Sequence, residues 1–536
     1  MRHSYLYLVL CLMFAACTPK NEPTIDVDET LAINTVKVKY EGDKASVSAN
    51  KVTADLLNVH TTGAHVSIRQ SAQVVDEITY VLVGESENGS FTMDGELKAT
   101  VVFGGVKLTN PSGAAVNILN GKRIDIVLQD GTTSSLTDGI GDQKACMMVN
   151  GHAEWKGTGV LELNGNSKHA YWSDEYTLFK AEAGTVRVKK AIKDGLSVNQ
   201  YFEMYGGTII VEECGDDGLQ VDRKKDDTKE QNGSLIIHAG TLDITSTGDG
   251  GKGIKCDSLI TINGGEIRVR TLGAMYIDPA YTGDGKDIPD SLKSSPKGIK
   301  TGYDLTINNG HLVITTQNDG GEGIESKNTM TINGGLIEIE AYDDCINTTG
   351  DMTINGGQVY VNSFDNDGID SNANLFIRGG LIVTYGAPFR ELGIDVNDRG
   401  TKKLYVTGGT LVAFGGSNDI TRPFTTDGAQ PTVIYQGQIA QNQTLLISSG
   451  GEAEMAVKQL RDYKAQGNGT DAPKLTMLYS APTMVVGNSY LLYEGADVTA
   501  TDEWHGLMLQ PTINERGTQI GKINSLETPT STFRKK

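Results

Sequence analysis

The clearest pattern in the chain is a short alternation of apolar and other residues, broken at regular intervals by paired glycines. Thr331-Ile332-Asn333, two glycines, then Leu336-Ile337-Glu338-Ile339-Glu340 shows it. The period of two predicts strands, each with one buried face. The hexapeptide Ile260–Gly265 recurs as Met330–Gly335 and Met352–Gly357, with looser copies at Leu305–Gly310, Leu375–Gly380 and Leu404–Gly409. Fainter copies end at Gly159, Gly184, Gly207 and Gly240, and the base spacing of these glycines is 22 to 25 residues. Insertions follow Gly207, Gly265 and Gly380. The largest, Met275 to Ser295, is a polar loop.

Two or three short strands with tight glycine turns in about 22 residues make one coil of a β-solenoid. Leucine-rich repeats are excluded because their leucine pattern and helices are missing, and propellers because a blade needs about 40 residues. The predicted fold is all-β: a right-handed parallel β-helix with a β-rich C-terminal cap. Stacked coils would place Asn263, Asn333 and Asn355 above one another, able to bond as a ladder. A short helix is predicted over 454–463.

The organisation expected from these signals is a signal peptide at 1–16 and a lipid-anchored tether at 17–35. An N-terminal β region with opening coils follows at 36–138, and the helix repeats at 139–416. A β-rich capping region at 417–510 and a poorly ordered tail at 511–536 complete it. Arg2 and His3, the apolar run to Ala16 and then Cys17 give the secretory reading; Ala15-Ala16-Cys17 resembles a bacterial lipobox, with Phe14 where Leu is usual. This implies acylation of Cys17 and anchorage to the bacterial outer membrane, at the cell surface or its periplasmic face. Cys146, Cys214, Cys256 and Cys345 are scattered, which argues against metal ligation, and read as free core thiols, with two disulfides the alternative in an exported chain. The net charge of −20 argues against nucleic acid as a partner. The chain is expected to be a monomer.

A second repeated motif is acidic and glycine-rich and ends in an apolar residue. It occurs as Asp194-Gly195-Leu196, Asp216-Asp217-Gly218-Leu219, Asp249 to Ile254, Asp319 to Ile324, Asp343-Asp344-Cys345-Ile346, Asp365 to Asp370 and, most weakly, Glu391 to Asp395. Asp-Gly is ordinary turn chemistry. Stacked on one edge, however, these acids could supply the six to eight oxygens that calcium takes. Asp216, Asp217, Asp249, Asp319, Asp343, Asp344, Asp365 and Asp367 are the expected ligands. Lys252, Lys255, Lys297 and Lys300 fall in two equivalent Lys-Gly-Ile-Lys motifs. They either pair with the acidic edge or, with a lowered pKa, supply the base of a lyase. Trp155, Tyr171, Trp172, Tyr276 and Tyr281 are the aromatic candidates for stacking on sugar rings.

Val101–Thr109, Ile124–Thr132 and Leu136–Gly139, followed by the repeated Thr-Ile-Asn-Gly-Gly and Asp-Asp-Gly-Ile motifs, resemble the bacterial carbohydrate-binding β-helix family, itself distantly similar to family nine polysaccharide lyases. The resemblance spans roughly Val36 to Tyr493. It implies calcium near the Asp-rich turns and binding of plant cell-wall or acidic polysaccharide, and it does not imply cleavage. The alternatives are a calcium-dependent lyase acting on uronates and an adhesin or structural spacer. Cys345, where glycine is expected, and Ser294-Ser295-Pro296-Lys297, which lacks the Asp, depart from the motif.

Overall fold

A computed structural model describes residues 25–283, 288–389, 391–397, 401–417, 420–463, 475–527 and 530–533. The signal segment and Cys17 lie outside them. The chain is all-β and forms a β-solenoid of about 15 turns. Each full coil has three strands. In one coil these are Lys252–Cys256, Ile260–Ile262 and Glu266–Thr271. Equivalent strands of successive coils pair in parallel, so three ladders run along the axis.

The period-two alternation explains the core. Ile254, Ile260, Ile262, Ile267 and Val269 point inward and are at most 2% exposed. The same columns continue above and below them, so one contiguous apolar core fills the tube. The intervening residues face solvent.

The asparagine ladder forms as expected and gains a member. Asn308 Nδ2 donates to Asn263 Oδ1 at 2.7 Å, Asn333 to Asn308 at 2.7 Å, and Asn355 to Asn333 at 2.8 Å. The glycine two residues after each Asn, Gly265, Gly310, Gly335 and Gly357, has φ between 93° and 116°. A Cβ there would be strained whatever the space.

At the start, Thr35–Glu41 pairs antiparallel with Lys44–Ala49 and parallel with Ile78–Ser86, turning a hairpin into the first ladder pairings. At the other end, Leu404–Gly415 receives Leu475–Ser480 antiparallel, which stops the parallel stack. A six-stranded antiparallel sheet follows, with its own apolar core. Two sequence expectations are corrected here. Residues 454–463 form no helix: Glu452–Lys458 is a strand of that sheet, held on both edges. The tail read as poorly ordered carries strands Thr512–Glu515, Thr518–Ile523 and Thr530–Phe533, the second bound to Tyr490–Glu494. The four cysteines are free and buried.

Candidate functional site: a charged edge with two acidic clusters

From residue 194 to residue 368 the acidic glycine motif and its Lys-Gly variants open the strands of the first ladder, with Cys345 the exception, and the glycine is required by packing. A Cβ on Gly218 would lie 2.1 Å from Ile244 Cγ2, on Gly253 2.0 Å from Val269 Cγ1, and on Gly323 2.4 Å from Ile339 Cγ2. Backbone is therefore pressed against branched core side chains, and the residue before glycine is fixed at the coil's corner.

Register places one residue per coil in a column along this corner: Asp194, Asp217, Lys252, Lys297, Glu322, Asp344 and Asp367. All seven are at most 8% exposed. A second column, one residue past the apolar position, runs Lys255, Lys300, Glu325, Asn347, Asp370 and Asp395. Charges sort along both: acids, then lysines, then acids again in the first, and lysines followed by acids in the second.

At the first acidic end, carboxylate oxygens of Asp194, Asp216 and Asp217 all lie within 4.8 Å of one another. Asp194 Oδ2 is 3.0 Å from His169 Nδ1, and its Oδ1 accepts the Asp217 amide at 3.2 Å. Asp217 accepts the Lys252 amide at 2.8 Å and faces Lys255 Nζ at 3.4 Å. Burial pushes the Asp217 carboxyl up to about 6 against the pull of Lys255. At the other end Asp367, Asp370 and Asp395 form an equally tight group. Asp344 stands beside it in the column, and its Oδ1 accepts from the Asp367 amide at 3.0 Å. Burial, then Asp343 and Asp370, push Asp344 up to about 9; burial carries Asp367 to about 8 and, with Asp395, Asp370 to about 7.

Between the clusters, Lys297 bonds Glu322 at 2.7 Å and Lys300 faces Glu325 at 3.1 Å. These lysines, with Lys255, pair with the acidic edge. Lys252 differs: its ammonium donates to the Gly250 carbonyl and, at 2.5 Å, to Ser294 Oγ, with no carboxylate ion pair among the described residues. Burial lowers its pKa. An open cleft of about 530 Å³ joins Asp216, Asp217, Asp249, Lys252, Lys255 and Tyr276. The long insertion forms one wall, anchored where Asp249 Oδ1 accepts the Ala274 amide at 2.9 Å.

Several expected site residues fall elsewhere. Asp319 and Asp365 are exposed and join neither cluster among the described residues. Asp343 is held by Asn366 Nδ2 at 2.7 Å. Trp155 and Tyr171, at 1% and 0% exposure, are core residues stacked inside the tube and are no sugar platform. Trp172 is covered by the Lys144 ammonium, 3.6 Å from its ring centroid. Tyr281 sits half-buried on the insertion, outside the cleft lining. Tyr276 alone of the five presents an exposed ring to the cleft. Sequence reasoning left Asp194, Glu322, Asp370 and Asp395 out of the ligand set. The signal lay in register: Asp194 and Glu322 precede the motif glycine, and Asp370 and Asp395 follow the apolar residue of their strands.

The all-β solenoid, with its three parallel ladders, defines a parallel β-helix. The sequence matches the profile of the carbohydrate-binding domain-containing protein family over residues 62–345 and 292–368, and the chain belongs to that family. No curated protein matches it. Among solved structures, it is similar to the polysaccharide lyase-like protein from C. thermocellum, in a gadolinium derivative, with 23% identity over 45% of this chain and 92% of that one, at a TM-score of 0.38.

Proposed function

We propose that this protein binds polysaccharide, plant cell-wall or acidic, at the cleft beside Asp194, Asp216 and Asp217, with calcium held by those carboxylates and without cleaving the glycan. The observation that carries the reading is a group of three carboxylates within 4.8 Å of one another, two of which, Asp216 and Asp217, line one open cleft with the exposed Tyr276 ring. The donor set fits: calcium takes hard oxygen ligands in flexible geometry, and two of these three acids, Asp194 and Asp217, are buried where an uncompensated negative charge is costly. Calcium would supply a positive bridge to a uronate carboxylate, while Tyr276 packs on a sugar face. The Asp367, Asp370 and Asp395 group is a second cation site of the same chemistry. The protein acts as a monomer at the bacterial outer membrane, tethered through acylated Cys17, and its negative charge keeps nucleic acid away.

Affinity electrophoresis through gels cast with polygalacturonate, xylan or hydroxyethyl cellulose, with calcium and with chelator, tests this. Retardation strongly reduced by chelator, with the polysaccharide intact, is the expected result. Unretarded migration in every gel would sink the reading.

One observation favours a second reading, a calcium-dependent lyase. Lys252 is 8% exposed, has its pKa lowered by burial and lines the same cleft. A neutral amine there could take the C5 proton of a uronate as the C4–oxygen bond breaks and the departing sugar oxygen is protonated. Clearing of polygalacturonate along the track, with unsaturated uronate released and lost in Lys252→Ala, would establish cleavage.

A further inference from the structure

A second cleft, of about 760 Å³, lies at the opposite corner of the tube, where the first ladder turns into the second in the opening coils. Its edge is one column of residues. Arg123 pairs in register with His152, and His152 stacks on Tyr176 at 4.5 Å, which stacks on Tyr201 at 4.8 Å. Lys98 stands beside Arg123 at the next coil, and exposed Lys122 completes the wall. The repeat places cations at one end of this column and a rigid aromatic stack at the other.

The charges here are only partly satisfied by one another. Glu154 is taken by Lys180 at 3.0 Å and by the Tyr176 hydroxyl at 3.0 Å. Asp125 is taken by Lys156 at 2.6 Å. Arg123 Nε lies 3.1 Å from Asp125 Oδ1 without hydrogen-bond geometry, and its Nη2 reaches Glu77 only at 3.5 Å. Neither Lys98 nor Lys122 forms an ion pair among the described residues, and Glu96 is the one remaining carboxylate on the wall. Of twelve buried side-chain polar atoms without a hydrogen-bond partner among the described residues, three cluster here: Arg123 Nε, Asp125 Oδ1 and His152 Nδ1. Buried polar groups are nearly always paired. Arg123 Nε and Asp125 Oδ1 face one another at 3.1 Å and His152 Nδ1 lies 3.9 Å from Glu175 Oε2, so these groups have charged neighbours but no hydrogen bond, and each keeps capacity for a polar partner beside the open cleft.

We propose that this cleft is a metal-independent subsite for the carboxylate of an acidic sugar, with Arg123, Lys98 and Lys122 as its cations and the edge of the His152–Tyr176 stack as its wall. A guanidinium with free donors suits a planar carboxylate, which it meets with two parallel hydrogen bonds. The subsite rests on the carbohydrate-binding reading but not on calcium, since its groups are cationic. An acidic glycan is thus held in two ways on one solenoid: through a bridging cation at the acidic corner and directly at this one.

The test is affinity electrophoresis of the full protein in polygalacturonate gels with excess chelator. The wild type keeps a residual retardation that added salt weakens. Lys98→Glu with Lys122→Glu lowers that residual binding about tenfold, as does Arg123→Gln. Asp217→Asn, which disables the other cleft, leaves it unchanged. A charge-matched control, Lys37→Glu with Lys44→Glu at exposed positions elsewhere, retains it. The proposal is overturned if the chelated wild type runs unretarded, if the Lys98/Lys122 variant keeps wild-type mobility, or if the control falls equally. Failure of the calcium reading looks different: chelator and Asp217→Asn would then have no effect on total binding.

Discussion

Two corners of the same coil carry repeated glycine motifs, and they behave in opposite ways. At the Asn-Gly-Gly corner the same residue returns coil after coil, and Asn263, Asn308, Asn333 and Asn355 bond to one another. At the Asp-Gly corner the glycine recurs in every one of these coils except that of Cys345, while its predecessor changes, from Asp194 and Asp217 through Lys252, Lys297 and Glu322 to Asp344 and Asp367. The first corner satisfies itself along the stack. The second buries charges that their neighbours only partly neutralise. In a solenoid the backbone problem is identical at every coil, so constancy marks a structural solution. A position that varies in charge while its backbone stays fixed marks chemistry.

The comparison is broken most severely by touching what the Asp-Gly corner needs for packing. Gly253→Val would drive a branched side chain into Val269, whose Cγ1 already lies 2.0 Å from where a Cβ would be. Overpacking of this kind costs about 1–3 kcal/mol or more, and the expected outcome in thermal unfolding is a drop in midpoint with or without calcium. Cys345 shows how the fold escapes this: the side chain is fully buried, with its Sγ 3.8 Å from the Ile339 carbonyl.

Changing the varying residue instead should spare the fold and remove the function. Asp217→Asn keeps the shape and the acceptor for the Lys252 amide but removes a charge from the three-acid group. Calcium-dependent retardation in polygalacturonate gels should weaken by at least the loss typical of an outer ligand partner, about tenfold. Thermal unfolding in chelator should be unchanged or improved, because a buried charge has gone. A variant that binds as well as the wild type would put the cation elsewhere.

The solenoid was legible because its signals are local: period-two alternation and glycine spacing need no long-range information. The ladder of Asn side chains followed from the repeat alone. The site was legible only as a corner. Which acids meet depends on register across inserts of different length, so exposed Asp319 and Asp365 looked equal to buried Asp217 and Asp367. Trp155 misled for a related reason: in a tube this narrow the alternation decides whether a ring faces in or out, and Trp155 falls on the inward phase between Ala153 and the glycine turn. The terminal sheet lacks the repeat, and its strand Glu452–Lys458 reads as helical because charged and small residues dominate it.

The acidic clusters also give the two corners different responses to pH. Asp344, Asp367 and Asp370 have folded-state pKa values of about 9, 8 and 7, above the unfolded carboxylate value near 3.9. A raised folded pKa contributes stability that is complete below about 3.9 and is lost as pH rises through the folded values. In chelator the unfolding midpoint should therefore fall between about pH 4 and pH 9. Calcium binds the ionised carboxylates, so its stabilising effect should grow over the same range, larger at pH 8 than at pH 5. A calcium shift independent of pH would mean these groups do not hold it.

The smallest effect sharpens the comparison best. Asn333 donates to Asn308 and accepts from Asn355, whereas Asn355 ends the ladder, because the next coil has Arg378 in its place. Each exposed amide bond is worth about 0.5–1.5 kcal/mol net of water. Asn333→Ala removes two such bonds and Asn355→Ala one, so the interior substitution should cost about twice as much. Because coils contact only their neighbours, the loss should be local. It is best read as faster amide hydrogen exchange in the coils on either side, with calcium-dependent glycan binding untouched. If Asn333→Ala weakened binding while sparing exchange, the constant corner would be part of the binding surface and the division drawn between the two corners would fail.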